Sequence, residues 1–136
     1  MSWHAAYVGA PFVDRGRDLA GADCWGLVRL VYANQLGIEL PTYGDISAYD
    51  LARVARRIGD GKDGETWAAV ERDQLRAFDV AVMRGHGVRE TCHVGVMVDS
   101  AQLLHVERGI DAVCVPLDHW TIKRRLVAFR RHKNLI

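Results

Sequence analysis

The amino-acid sequence predicts an α+β fold, a helix first and an antiparallel β-sheet second, and three observations carry that prediction. Leu27, Leu30 and Val31 recur at helical spacing, with Leu36 completing the stripe and Gly37 as a natural stop. Further along, the rhythm shortens to period two, as Phe78, Val80 and Val82 alternate with Asp79, Ala81 and Met83. The chain has 136 residues, 49% of them apolar and 26% charged, which suits one ordinary globular domain over residues 1–136. That composition excludes disorder and a fibrous fold, and leaves one site to carry the chemistry.

The elements follow in order. Gly9, Pro11, Gly16 and Gly21, with Asp14, Arg15, Arg17 and Asp18 between them, make the first 22 residues extended and turn-rich, without a regular helix. Asp23 stands at the N-cap of the first helix, which makes Cys24 its first residue. Pro41, Thr42, Tyr43 and Gly44 form a loop, and Ser47 with Asp50 three residues on resembles a capping box opening a second helix. Leu51, Val54, Ala55 and Ile58 are the buried stripe of that helix; Gly59 ends it and starts an exposed loop that runs to Gly64. A short helix is predicted over Trp67–Leu75. The strand from Phe78 is followed by His93–Asp99, with Val94, Val96 and Val98 on one face, and by Leu103–Glu107. Val113–Leu117 and Leu126–Phe129 complete the antiparallel sheet.

Eighteen Lys and Arg against seventeen Asp and Glu leave a formal charge of +1, so no global field recruits nucleic acid or an anionic membrane. No apolar run is long enough to span a bilayer, and Met1-Ser2-Trp3-His4 has neither the basic start nor the apolar middle of a signal peptide. The expectation is a protein made and folded in a cytoplasm. The basic stretch Lys123-Arg124-Arg125 and Arg130-Arg131-His132-Lys133 reads as the solvated border of a terminal strand, with docking to a partner as second choice. Cys24, Cys92 and Cys114 are odd in number and lack a CxxC pair, against both a disulfide framework and a zinc ribbon. Cys92 and Cys114 are expected to be small buried hydrophobes.

Cys24 differs by position. At a helix N-terminus it faces backbone N–H groups without intrahelical partners and the positive end of the helix dipole, a site that favours the reactive thiolate. A nucleophile needs a base, and His93 opens a strand after the flexible stretch Gly85–Thr91. His105 on the next strand is available to orient the imidazole. A two-residue turn at Ser100-Ala101 would pair His105 with Val96 and send it to the wrong face. A five-residue loop from Val98 to Gln102 would pair it with Gly95, diagonal to His93, where the glycine leaves room for both rings. His4, His86, His119 and His132 are expected to be solvated or hydrogen-bonded rings. A zinc site from Cys24, His93 and His105 matches no common ligand spacing, so neither metal nor cofactor is expected.

These residues carry a resemblance. Gly9-Ala10-Pro11-Phe12, Gly21-Ala22-Asp23-Cys24-Trp25-Gly26-Leu27-Val28, His93-Val94-Gly95-Val96-Met97-Val98 and Leu104-His105 resemble, in order, the motifs of the NlpC/P60 cysteine peptidases. Trp25 and the helix Leu27–Tyr32 look most like the short forms found among phage tail-tip proteins. The resemblance implies a papain-like core whose helix carries the cysteine and packs on an antiparallel sheet. It implies hydrolysis of peptide bonds in peptidoglycan stem peptides, with Cys24 as nucleophile, His93 as base and His105 as orienting residue. The Cys24 backbone N–H would be an oxyanion donor. Asp23 is a candidate to hold a substrate amine, although its N-cap duty is the cheaper explanation.

Two departures from the family pattern bear on substrate. Secreted members usually have tyrosine after the Gly-x-Pro turn and serine after the cysteine, where this chain has Phe12 and Trp25. A hydroxyl is lost at each. Phe12 and Trp25 are therefore substrate-binding candidates beside Asp23, with packing slightly favoured for Trp25. The expected protein is a tail-tip peptidase, made in the host cytoplasm, bound to other tail-tip proteins and acting at the cell wall or periplasm. The alternative is a structural tail protein that keeps the fold with little or no activity.

Overall fold

The computed structural model describes residues 3–41 and 66–136. The capping box at Ser47, the helix to Ile58 and the Gly59–Gly64 loop lie outside the described residues. Trp3–Ala6 is a 3-10 turn, a regular element that the turn-rich composition did not predict. Two short strands follow, β1 (Arg17–Asp18) and β2 (Gly21–Ala22), paired antiparallel.

Helix α1 (Cys24–Val31) begins where the N-cap placed it. Asp23 is extended (φ −86°, ψ −178°), and its carboxylate accepts the Gly26 backbone N–H. The helix widens into a π-helical turn over Tyr32–Leu36 and stops at Gly37, whose φ of +66° is the left-handed cap that glycine takes without penalty. Leu27, Val28, Val31 and Tyr32 are buried, and the Tyr32 hydroxyl donates to the Phe78 carbonyl. Phe78 itself sits at φ +75°, a conformation that costs a bulky side chain energy. Its N–H donates to the Met97 carbonyl at 2.8 Å, and its ring stacks on Trp3 with centroids 4.8 Å apart.

The main sheet contains β3 (Trp67–Ala69), β4 (Val80–Arg84), β5 (Thr91–Met97), β6 (Gln102–Glu107), β7 (Ile110–Pro116) and β8 (Leu126–His132). The order is β3-β8-β4-β5-β6-β7, antiparallel at each pairing. The Trp67–Leu75 helix is therefore corrected to strand β3 and a separate 3-10 turn at Arg72–Gln74. Tertiary pairing overrides local propensity there: Trp67 pairs with His132 and packs edge-on against its ring, with centroids 5.2 Å apart. The other strands stand within a few residues of their predicted spans, β7 starting earlier and β8 ending later.

Period-two alternation gives the sheet two apolar faces. Val80, Val82, Val94, Val96, Leu104 and Val106 join the core of α1, whereas Ala81, Met83, Met97, Leu103, Ile122 and Phe129 form a second cluster. The N-terminal segment closes one side. Gly9 N–H donates to the Ala112 carbonyl on β7, and Ala112 N–H to the Ala10 carbonyl, both at 2.8 Å. Phe12 then bridges to Ala22, just before α1. Among the described residues no helix is long and apolar enough to cross a membrane.

Candidate active site

The β5–β6 hairpin decides where the two histidines go. Val96 pairs with Leu104 and Met97 with Leu103, the register of the five-residue loop. Continued by one pair, it sets His105 opposite Gly95 and on the same face as His93. The rings meet there: His93 Nε2 lies 2.8 Å from His105 Nδ1, and the ring planes are 72° apart. Gly95 makes the approach possible, since a Cβ at that position would stand 2.6 Å from Leu103 Cδ1 and 3.1 Å from His105 Cβ.

Cys24 shares a cleft of about 490 Å³ with His93; Phe12, Val88, Val106 and Arg108 are also in its walls. The Arg108 guanidinium lies over the Phe12 ring, 5.2 Å from its centroid. Cys24 is only 6% exposed. Burial pushes its thiol up to about 12, and the Asp23 and Cys92 charges push the same way; the backbone N–H groups of Val94 and Trp25 pull it down only in part. Burial thus opposes the thiolate expected from the helix N-terminus and favours the thiol. Burial holds His93 down to about 3, with His105 adding to the effect. Burial likewise lowers His105 to about 4. Both rings are neutral near pH 7.

Of the three expected substrate contacts, only Phe12 lines the cleft. Asp23 is fully buried, and its carboxylate is taken up by Gly26 N–H at 2.7 Å, the Arg15 N–H at 3.2 Å and the Arg17 guanidinium at 2.7 Å. That carboxylate is part of the helix cap. Trp25 is 2% exposed, and its indole N–H donates to the Pro41 carbonyl at 2.7 Å. Its packing role displaces the stacking role. Cys92 and Cys114 are half-buried, and Cys92 lines the cleft, so neither is the fully buried hydrophobe expected.

Two residues behind the histidines were not anticipated. Glu107 lies two positions after His105, with its Oε2 4.0 Å from His105 Nδ1, and Arg125 clamps it at 2.6 and 3.0 Å. Strand alternation could have flagged Glu107 as sharing a face with His105. Nothing local could have flagged Arg125. Arg125 and Arg131, which grips buried Asp79 at 2.7 and 2.8 Å, also correct the solvated reading of the basic stretch; its Lys123, Arg124 and Lys133 are exposed. His93, His105 and Glu107 hold ligand atoms within 4.8 Å of one another. Those atoms are already engaged with each other and with Arg125, so a metal ion would have to displace these bonds.

Comparison with known proteins bears on family and fold. The model of the NlpC/P60 family matches residues 9–131. The chain is similar to the murein DD-endopeptidase MepS/murein LD-carboxypeptidase of Escherichia coli K12, and to the protein of that name in Escherichia coli O157:H7. Each is 24% identical over 131 residues. These alignments cover 96% of this chain and 60% of the relatives, so the chain spans about three fifths of their length. Among solved structures, an NlpC/P60 family protein from Bacillus cereus superposes with a TM-score of 0.67 at 18% identity, over 94% of this chain and 37% of that one. The NlpC/p60 domain of the peptidoglycan hydrolase SagA gives 0.59 at 21% identity, over 93% and 89%. Both likenesses are of fold.

Proposed function

The chain belongs to the NlpC/P60 family, and from that premise we propose that it is a cysteine peptidase hydrolysing peptide bonds in peptidoglycan stem peptides. The observation that carries the proposal is the 2.8 Å bond from His93 Nε2 to His105 Nδ1, beside a cleft that Cys24 and His93 both line. With Nε2 donating to His105, the Nδ1 lone pair of His93 is left as the base. Cys24 Sγ attacks the carbonyl carbon and its proton passes to His93 Nδ1. The Cys24 backbone N–H, at the first helical position, meets the developing oxyanion. The C–N bond then breaks as His93 protonates the leaving amine. Water attacks the thioester with His93 again taking the proton, releasing the acid and regenerating the thiol.

We further place this peptidase at a phage tail tip, made in the host cytoplasm, held by other tail proteins and acting at the host wall or periplasm. The support is the motif with Trp25 after the cysteine and the Leu27–Tyr32 helix, which resembles the short tail-tip forms. One observation favours the rival reading of a structural tail protein: the nearly inaccessible, strongly protonated Cys24. Mass spectrometry of purified muropeptides after incubation tests the peptidase. New stem fragments with the wild type and none with Cys24→Ala are expected; identical digests from the two would overturn it. Proteomics of purified particles tests the placement, and reproducible absence from tails would refute it.

A further inference from the structure

Glu107 has a buried side chain, and burial by itself would raise its carboxyl. Hydrogen bonds from Arg125, with the two nearby histidines, instead bring it down to about 2, so it is a fixed negative charge. Arg125 is immobilised in turn. Its Nε donates to the Arg84 carbonyl at 3.0 Å, Nη1 to Glu107 Oε2 at 3.0 Å and to the Thr121 carbonyl at 3.4 Å, and Nη2 to Glu107 Oε1 at 2.6 Å. A register shift between His105 and Glu107 in the β6–β7 pairing is the kind of irregularity that re-aims a side chain. Here the carboxylate comes to 4.0 Å from His105 Nδ1, the atom that already meets His93.

We propose that Glu107, clamped by Arg125, is a positioning residue whose charge, acting through His105, favours the imidazolium formed when Cys24 gives up its proton. The inference rests on the peptidase reading above and extends it by one layer. The need for such a charge follows from the site itself: moving a proton from a buried thiol to a buried imidazole creates two charges where there were none. Glu107 is the charge of the right sign, and Arg125 keeps it ionised and still. The carboxylate raises the proton affinity of both rings, and the guanidinium lowers it. The backbone partners flanking the two histidines, Met83 on β4, Gly95 on β5 and Val113 on β7, carry no charge.

A salt bridge that merely tied the start of β8 to β6 would act by loosening the cleft as a whole, whereas a tuning charge is lost when the carboxylate is neutralised although the cleft stays closed. The test is residue-resolved iodoacetamide alkylation at pH 7, which needs no substrate. Cys24 reports proton loss to His93, and Cys92 in the same cleft reports loosening. With Glu107→Gln, Cys24 should react more slowly, by about tenfold for each pKa unit by which the imidazole falls. Arg125→Gln, which frees the carboxylate and lets burial raise it, should slow Cys24 as well, by less. The double variant Glu107→Gln/Arg125→Gln should be no slower than Glu107→Gln alone, because both act through one charge. Cys92 should change little throughout. Cys24 as fast as wild type in Glu107→Gln, losses that add in the double variant, or changes mirrored at Cys92 would overturn the proposal. Should Glu107→Gln fail to fold, Arg125→Gln decides: Cys24 as fast as in wild type overturns it. The muropeptide digest is read separately. Slowed alkylation in Glu107→Gln without hydrolysis by the wild type would sink the peptidase reading alone, and hydrolysis with unslowed alkylation in Glu107→Gln would sink this one alone.

Discussion

At the scale of single residues, Cys24 shows how far position alone can be trusted. Its place at the head of a helix was legible because Asp23 precedes it and a periodic apolar run follows; its protonation was not, because burial is set by residues far along the chain. The resting site is a neutral thiol beside a neutral imidazole. Alkylation at neutral pH should therefore modify half-buried Cys92 and Cys114 before Cys24, and Cys24 should catch up only as the pH rises well past 9. Peptide mapping after short exposures would show the order, and early labelling of Cys24 would mean a thiolate. His93→Ala should remove turnover almost completely. His105→Asn should keep part of it, since an amide can still accept from Nε2 and orient the ring. A pH–rate comparison of the two variants separates orientation from proton transfer. Glu107 and Arg125 escaped the sequence for a plain reason: their partnership spans 18 residues and depends on where β8 begins.

At the scale of elements, the hairpin from β5 to β6 carries the dyad. Either loop length was compatible with the sequence between Val98 and Gln102, and only the realised register brings His105 to His93. Gly95→Ala would place a methyl 2.6 Å from Leu103 Cδ1 and 3.0 Å from the Leu104 carbonyl, forcing the two strands apart. A destabilisation of about 1–3 kcal/mol is expected, with a loss of activity larger than the loss of folded protein. Urea melts and turnover on the same samples would tell these apart. The helix start is the second vulnerable element. Asp23→Ala removes the cap and the ion pair to the Arg17 guanidinium, so about 1–2 kcal/mol should be lost. Strands β4 to β8 were legible from alternation because each buries at least one apolar face. Trp67–Ala69 was not, since a three-residue strand has too few residues to show a period and owes its conformation to β8.

At the scale of the whole molecule, the buried titratable groups set a pH window for stability. His93 and His105 are held at about 3 and 4 when folded, against an ordinary value of 6.5. Between those limits the unfolded chain binds the extra protons, so stability is fully present above pH 6.5 and is lost as the pH falls towards 3. Each ring contributes up to about 1.4 kcal/mol per pH unit across its window. Glu107 adds a second acid loss from 4.5 down to about 2. On the alkaline side, Cys24 is a thiol when folded up to about 12 but ionises near 9 when unfolded, so stability declines above pH 9. A plateau between about pH 7 and 9 is expected in chemical denaturation, and His93→Gln should flatten its acid shoulder. A shoulder unchanged in that variant would mean that His93 is not buried neutral.

Strand β8 sits between β3 and β4, and it is made after both of them. A ribosome releasing this chain would complete the β4-β5-β6-β7 meander first, with an open seam where β8 belongs, and Arg125 would emerge only as that seam is about to fill. Until then Glu107 has no clamp and the sheet cannot close onto Trp67. Synthesis thus runs ahead of competence, and the contacts that span the greatest stretches of chain come late in folding. In a refolding experiment with pulses of iodoacetamide, Cys24 should stay reactive until β8 docks and then become protected in the same kinetic phase that restores the fluorescence of buried Trp67.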